Sequence, residues 1–137
     1  MDTSEIYIKM CEKAEEVQEL KHKGLQHHIY LEKGDYTIWH NLHSTPIICS
    51  QGYDLMLGIA DKIFWLPRQD QLQEIVLPTL KYQDTEHLLR AFNEWDFSEK
   101  GYEPYSRLLT SMEQLWLAFV MKEKYNKIWN GEEWITS

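Results

Sequence analysis

The sequence predicts an α+β fold: an N-terminal helix, a three- to four-stranded antiparallel β-meander, then three C-terminal helices packed on one face of the sheet. Three observations point there. Apolar residues recur at steps of three and four from Thr3 to about Lys23, and again beyond Pro67, which is the helical period. Between Leu25 and Leu66, β-branched and aromatic residues fill short runs broken by turn chemistry. The length of 137 residues suits a single domain, 1–137, large enough to bury a core without disulfides or metals.

The first helix rests on Ile6, Met10, Ala14, Val17 and Leu20, which share one helical face. Asp2 with Glu5 three positions later resembles a capping pair, and Glu5/Lys9 and Glu19/Lys23 support the wet side at i,i+4 spacing. Gly24 supplies a stop. The strands are read at QHHIYL, YTIWHN, PIICS and KIFWLP. The connector Glu32–Lys33–Gly34–Asp35 predicts a hairpin between the first two, and His43–Ser44–Thr45 before Pro46 predicts the next bend, since proline cannot donate within a ladder. The stretch Gln51 to Asp61 fits a strand, a helical turn or an ordered loop equally and is left unassigned.

Beyond Pro67, which suits a helix start, Leu72, Ile75, Val76 and Leu80 form a stripe that Pro78 should end or kink. Asp84 can cap a helix to Asp96 that carries Leu88, Leu89, Phe92 and Trp95 on one side, with WDFSEKGYEP as a loop. Thr110 or Ser111 opens a T-x-x-E or S-x-x-Q box for the last helix, whose stripe is Met112, Leu115, Trp116, Phe119 and Val120. Lys122, Lys124 and Lys127 favour its negative end. Asn130–Gly131 reads as its stop in preference to a hairpin joining KIW to EEW.

Composition narrows the function. Fourteen basic against 22 acidic residues give a net charge of −8, which opposes attraction to phosphate backbones and anionic lipid. No nucleic acid or membrane partner is expected. Cys11 and Cys49 stand in unlike contexts and suggest two reduced thiols, and MDTSEIYIK lacks the charge and apolar pattern of a signal peptide. A cytoplasmic protein is expected. His27 and His28 in one strand, and His40, His43 and Cys49 near the next turn, raise a metal site, but adjacent strand histidines face opposite ways and the spacing completes no ligand set. Solvated histidines are the expectation. Asp70/Glu74 and Glu94/Asp96 are carboxylate neighbours of a kind any acidic chain contains, and the sequence holds no GxSxG, CxxC, HExxH or Gly-rich phosphate loop. No catalytic residue, metal or cofactor is assigned.

The run Phe64–Glu74 passes from a strand of large apolar residues through Pro67 into a polar helix start. Trp65, Arg68, Gln69, Asp70 and Gln71 are the candidate binding residues, because free N–H groups of a first helical turn and several directional side chains can meet a partner there. The alternative is internal, an Arg68–Asp70 bridge beside solvated glutamines. Trp39, Trp95, Trp129 and Trp134 lie at element ends or in polar surroundings and are candidates for exposed interface aromatics.

WLPRQDQLQEI (65–75) and SMEQLWLAFVMKEKYNKIWNGEEW (111–134), with YIKMCEKAEE (7–16) and Gly34–Asp35–Tyr36, resemble a group of small uncharacterised proteins encoded in bacteriophages and prophages. The resemblance implies origin and compartment and carries no activity. The expected function is therefore a non-enzymatic accessory protein that binds a host or phage protein, with a homo-oligomer open. The alternatives are an enzyme of small-molecule or nucleotide metabolism with a cleft between sheet and helices, or an acidic protein engaging DNA-binding proteins through residues 84–103.

Overall fold

The computed structural model describes residues 1–20, 35–41, 44–49, 62–97 and 105–137. The expected first strand and its hairpin, the Gly24 stop, His27, His28, His43 and the unassigned stretch 51–61 lie outside the described residues. The protein is a mixture of helices and small antiparallel sheets, and it gathers into two compact units, Ser4–Arg68 and Met1–Thr3 with Gln69–Ser137.

The first unit opens with α1 (Glu5–Lys13) and α2 (Glu15–Glu19), separated at Ala14, whose ψ of 67° leaves the helical region. This corrects the expectation of one continuous helix. The start also differs: Ser4 caps α1 by accepting the Tyr7 N–H at 3.3 Å, and Asp2 is engaged elsewhere. The buried face is Tyr7, Met10, Cys11, Ala14, Val17 and Gln18, while Ile6 and Leu20 are exposed. The stripe is thus turned by one residue. Tyr7 wins over Ile6 because its ring is buried while its hydroxyl donates to the Pro67 carbonyl at 2.5 Å.

Strands β1 (Tyr36–Asn41), β2 (Ser44–Cys49) and β3 (Lys62–Leu66) form an antiparallel sheet in the order β2-β1-β3. A meander would set β3 against β2; instead β3 returns to β1, with Tyr36 opposite Leu66 and His40 opposite Lys62. β1 therefore occupies the centre, where Thr37 and Ile38, neighbours on opposite faces, are both buried. β2 begins at Ser44, so Pro46 stands inside a strand rather than after a bend. Among the described strands β2 lies at the edge of the order β2-β1-β3, the place where a proline within a strand is tolerated.

The second unit contains α3 (Gln69–Val76), a 3₁₀ turn at Leu77–Thr79, α4 (Thr85–Phe97), the short α5 (Tyr105–Leu108), α6 (Met112–Tyr125) and a hairpin of β4 (Lys127–Trp129) and β5 (Trp134–Thr136). Pro78 sits in the 3₁₀ turn that ends α3, where Thr79 Oγ1 donates to the Val76 carbonyl at 2.6 Å. Asp84 caps α4, its Oδ1 accepting the His87 N–H at 2.9 Å. α4 runs to Phe97, so the first three residues of the expected WDFSEKGYEP loop are helical. α3 packs on α6 through a face that buries Leu72 and Val76.

α6 is the centre of this unit. Ser111 Oγ accepts the Gln114 N–H at 3.1 Å and Gln114 Oε1 accepts the Thr110 N–H at 3.1 Å, a reciprocal cap of the expected kind. Asp2 completes it by accepting from Ser111 Oγ at 2.5 Å and Gln114 Nε2 at 2.7 Å. Every residue from Gln114 to Met121 is buried, so the expected stripe is a helix enclosed all round, and Met112 alone of the named stripe is exposed. The helix stops at Asn126, which adopts the left-handed conformation at φ 53°. Asn130–Gly131 therefore forms the hairpin and not the stop: Asn130 Oδ1 accepts the N–H groups of Glu132 and Glu133, and Gly131 takes φ +99°. Among the described residues no helix is long and apolar enough to cross a membrane.

Candidate functional site

Of the candidate run 65–71, Trp65 and Arg68 close the first unit and Gln69, Asp70 and Gln71 open the second. Trp65 is 2% exposed, so its ring is part of the core and not a contact surface. Its backbone is used internally as well. Gln18 Oε1 accepts the Trp65 N–H at 2.7 Å, and Gln18 Nε2 donates to the Trp65 carbonyl at 2.9 Å and to the Cys11 carbonyl at 3.0 Å. One side-chain amide thus pairs with the outer edge of β3 as a neighbouring strand's peptide would. It also serves the end of α1, and this explains the break at Ala14: only a chain that turns there brings residue 18 to both carbonyls.

Arg68 lies 3.5 Å from Asp35 through Nη1, an ion pair in which the carboxylate is buried and the guanidinium half-exposed. The buried charge needs that partner, because leaving a desolvated carboxylate unpaired costs several kcal/mol, on the order of 3–5. Arg68 is therefore a structural cation as well as a candidate contact. Gln69 and Gln71 are half-buried and Asp70 is exposed at the start of α3.

The tryptophans are mostly inside. Trp95 is 7% exposed and Trp134 8%, and both were expected at the surface. Trp95 joins a ring cluster: Phe92 stacks on Trp116 at 4.3 Å between centroids, Phe119 meets Trp116 edge-on at 5.7 Å, and Trp95 lies 5.3 Å from Phe119. Trp134 packs on Trp129 at 5.0 Å across the hairpin. Helix ends proved no guide to exposure, because these rings close the unit's own core.

The surface feature missed in the sequence is the outer side of α4. Leu88 and Trp95 face inward, while Phe97 is 74% exposed and Leu89 50%. At about 100° per residue, Glu86, Leu89, Arg90, Asn93, Asp96 and Phe97 all fall within about 60° of the Asn93 direction and make one face. Arg90 Nη2 bridges to Glu86 Oε1 at 2.8 Å on that face. The periodic signal was present, but Leu88 and Leu89 were assigned to the same side, which concealed that α4 is apolar on two sides.

At the start of α4, His87 Nδ1 lies 2.8 and 2.7 Å from the two carboxylate oxygens of Asp84, and the His87 ring is 4.5 Å from Tyr82. The His87 backbone N–H, and then its ring, hold the Asp84 carboxyl below its ordinary value. The pair is exposed and caps a helix; no nucleophile adjoins it in the described contacts. Among the described residues no group of three His, Cys, Asp or Glu side chains converges as a metal site would require. Cys11 is buried and unbridged.

No family model matches the chain, and neither a curated protein nor a solved structure matches it.

Proposed function

We propose that the chain is a non-enzymatic protein-binding module of the prophage type its sequence resembles, acting in the cytoplasm. One observation carries the reading: α4 buries one apolar side and leaves Leu89 and Phe97 exposed on another, a combination typical of a contact surface rather than of a solvated helix. Tyr82, Leu108 and Met112 add exposed apolar side chains within the same unit. Gln69, Asp70 and Gln71, at the start of α3, are proposed as a second, polar contact, while Trp65 and Arg68, expected with them, serve the core and the ion pair of their own unit.

A photo-crosslinking residue placed at Asn93 tests this in cells. A discrete adduct of one protein, identified by mass spectrometry, is expected. Absence of any adduct while the variant is folded and soluble overturns the reading.

A further inference from the structure

We infer that Asn130–Gly131, at the tip of the β4–β5 hairpin, is a latent self-modification site, where the asparagine amide is lost through a cyclic imide at a rate set by opening of the hairpin. Of the four asparagines, Asn41, Asn93, Asn126 and Asn130, only Asn130 precedes a glycine. With no Cβ beside it, a glycine nitrogen is the least hindered backbone nucleophile that an asparagine can meet. Asn130 and Gly131 are both exposed, and nothing stands within 4 Å of where a Gly131 Cβ would lie. Among the described residues the Gly131 N–H makes no hydrogen bond.

The reaction needs only water. The Gly131 nitrogen bonds to Asn130 Cγ, the Cγ–Nδ2 bond breaks, and Nδ2 leaves as ammonia with the Gly131 proton. Water then opens the imide at one of its two carbonyls. Attack at Cγ restores the main chain and leaves an aspartate at position 130; attack at the backbone carbonyl leaves an isoaspartate, whose chain runs through Cβ and Cγ. Either product adds one negative charge to the −8 of the chain. Aspartate keeps the acceptor oxygen that the turn uses. Isoaspartate lengthens the backbone by one carbon and disturbs the register that sets Trp129 opposite Trp134.

The closed turn opposes the first step. Asn130 Oδ1 accepts the Glu132 N–H at 2.8 Å and the Glu133 N–H at 2.9 Å, while the Asn130 N–H donates to the Glu133 carbonyl at 3.2 Å. Drawing Cγ onto the Gly131 nitrogen rotates Asn130 about its Cα–Cβ and Cα–C bonds, and these three hydrogen bonds resist both rotations. Behind the turn, the Trp129 and Trp134 rings lie 5.0 Å apart across the strands and hold it shut. The two N–H groups on Oδ1 also polarise the amide towards attack. Restraint outweighs polarisation, because polarisation acts only once the two atoms meet. Closure therefore waits for local opening, which a short exposed hairpin undergoes more readily than the enclosed α6.

The full chain, held in mildly alkaline buffer and followed by peptide mapping and an isoaspartate assay, tests the inference. Deamidation is expected first at Asn130, about tenfold or more slower than in a synthetic peptide of residues 128–137 or in the full chain in urea. Trp129→Ala removes one ring of the pair and should quicken the loss several-fold while circular dichroism shows the helices intact. Asn130→Asp should abolish the mass gain of the 128–137 segment. A folded chain that deamidates as fast as the peptide or faster overturns the inference. So does a rate unchanged by Trp129→Ala although amide exchange shows the hairpin loosened, an earlier loss at Asn41, Asn93 or Asn126, or a peptide that does not deamidate at all.

Discussion

α4 and α6 belong to the same unit, differ by one residue in length, and use their apolar side chains in opposite ways. α6 buries eight residues in succession, from Gln114 to Met121, and its two polar ends are satisfied by Ser111, Gln114, Asp2 and Asn126. α4 buries Leu88 and Trp95, leaves Phe92 half-buried in the ring cluster, and turns Leu89 and Phe97 outward. The contrast separates two uses of the same chemistry. In α6 a lost methyl group is a lost core contact; in α4 the outward leucine is half exposed and the phenylalanine three-quarters, so their removal should register in partner binding more than in stability.

The largest effect is expected in α6. Phe119→Ala removes a fully buried ring that touches Phe92, Trp95 and Trp116, and should destabilise the protein by about 3–5 kcal/mol in denaturant unfolding. An effect below 1 kcal/mol, on the order of an exposed substitution, would dissolve the contrast between the helices. Gln18→Leu extends the comparison to the other unit's buried amide. It keeps the volume and orphans the outward N–H and C=O of Trp65, each worth about 1–3 kcal/mol when buried and unmet. The denaturant midpoint should fall and exchange of the Trp65 amide should quicken; unchanged exchange would show that Gln18 does not hold that edge.

Acid sharpens the α4 side. The Asp84 carboxyl is held below its ordinary value by the His87 N–H and ring, so the folded state favours the ionised form. Its contribution is present above the ordinary carboxylate range, near pH 4, and is lost as pH falls through the lowered value. Asp84→Asn keeps a capping oxygen without the titration. Its stability should therefore lose less than the parent's between about pH 4 and pH 2. Identical acid limbs for the two proteins would show that Asp84 titrates as an unengaged carboxylate.

Much of this was legible locally. The S-x-x-Q cap at Ser111, the Asp84 cap and the Pro78 stop follow from spacing, because the partners lie within four residues, whereas the all-round burial of α6 goes beyond the one stripe its spacing predicts. What escaped depends on distant partners. Gln18 reads as a wet helical residue until β3, 47 positions on, presents the Trp65 backbone to it. Asp35 has nothing nearby to mark it as buried, and its cation is 33 residues away. The sheet order depends on which edge of β1 receives β3, a choice that alternation within each strand does not encode. Trp65 and Trp95 were drawn outward by their polar neighbours in sequence, although ring stacking and burial are set by neighbours in space. For the candidate surface, Asn130–Gly131 is instructive in the opposite sense. Both of its readings, helix stop and hairpin, were visible, and Asn126 decided between them by ending the helix first.

The most direct test pairs two readouts on one protein, the Leu89→Asp/Phe97→Asp variant. Its unfolding free energy should stay within about 0.5 kcal/mol of the parent's while the Asn93 crosslink to a partner protein disappears. A marked loss of stability, or an Asn93 adduct that survives both substitutions, would show that the outer side of α4 belongs to the core or to no interface at all.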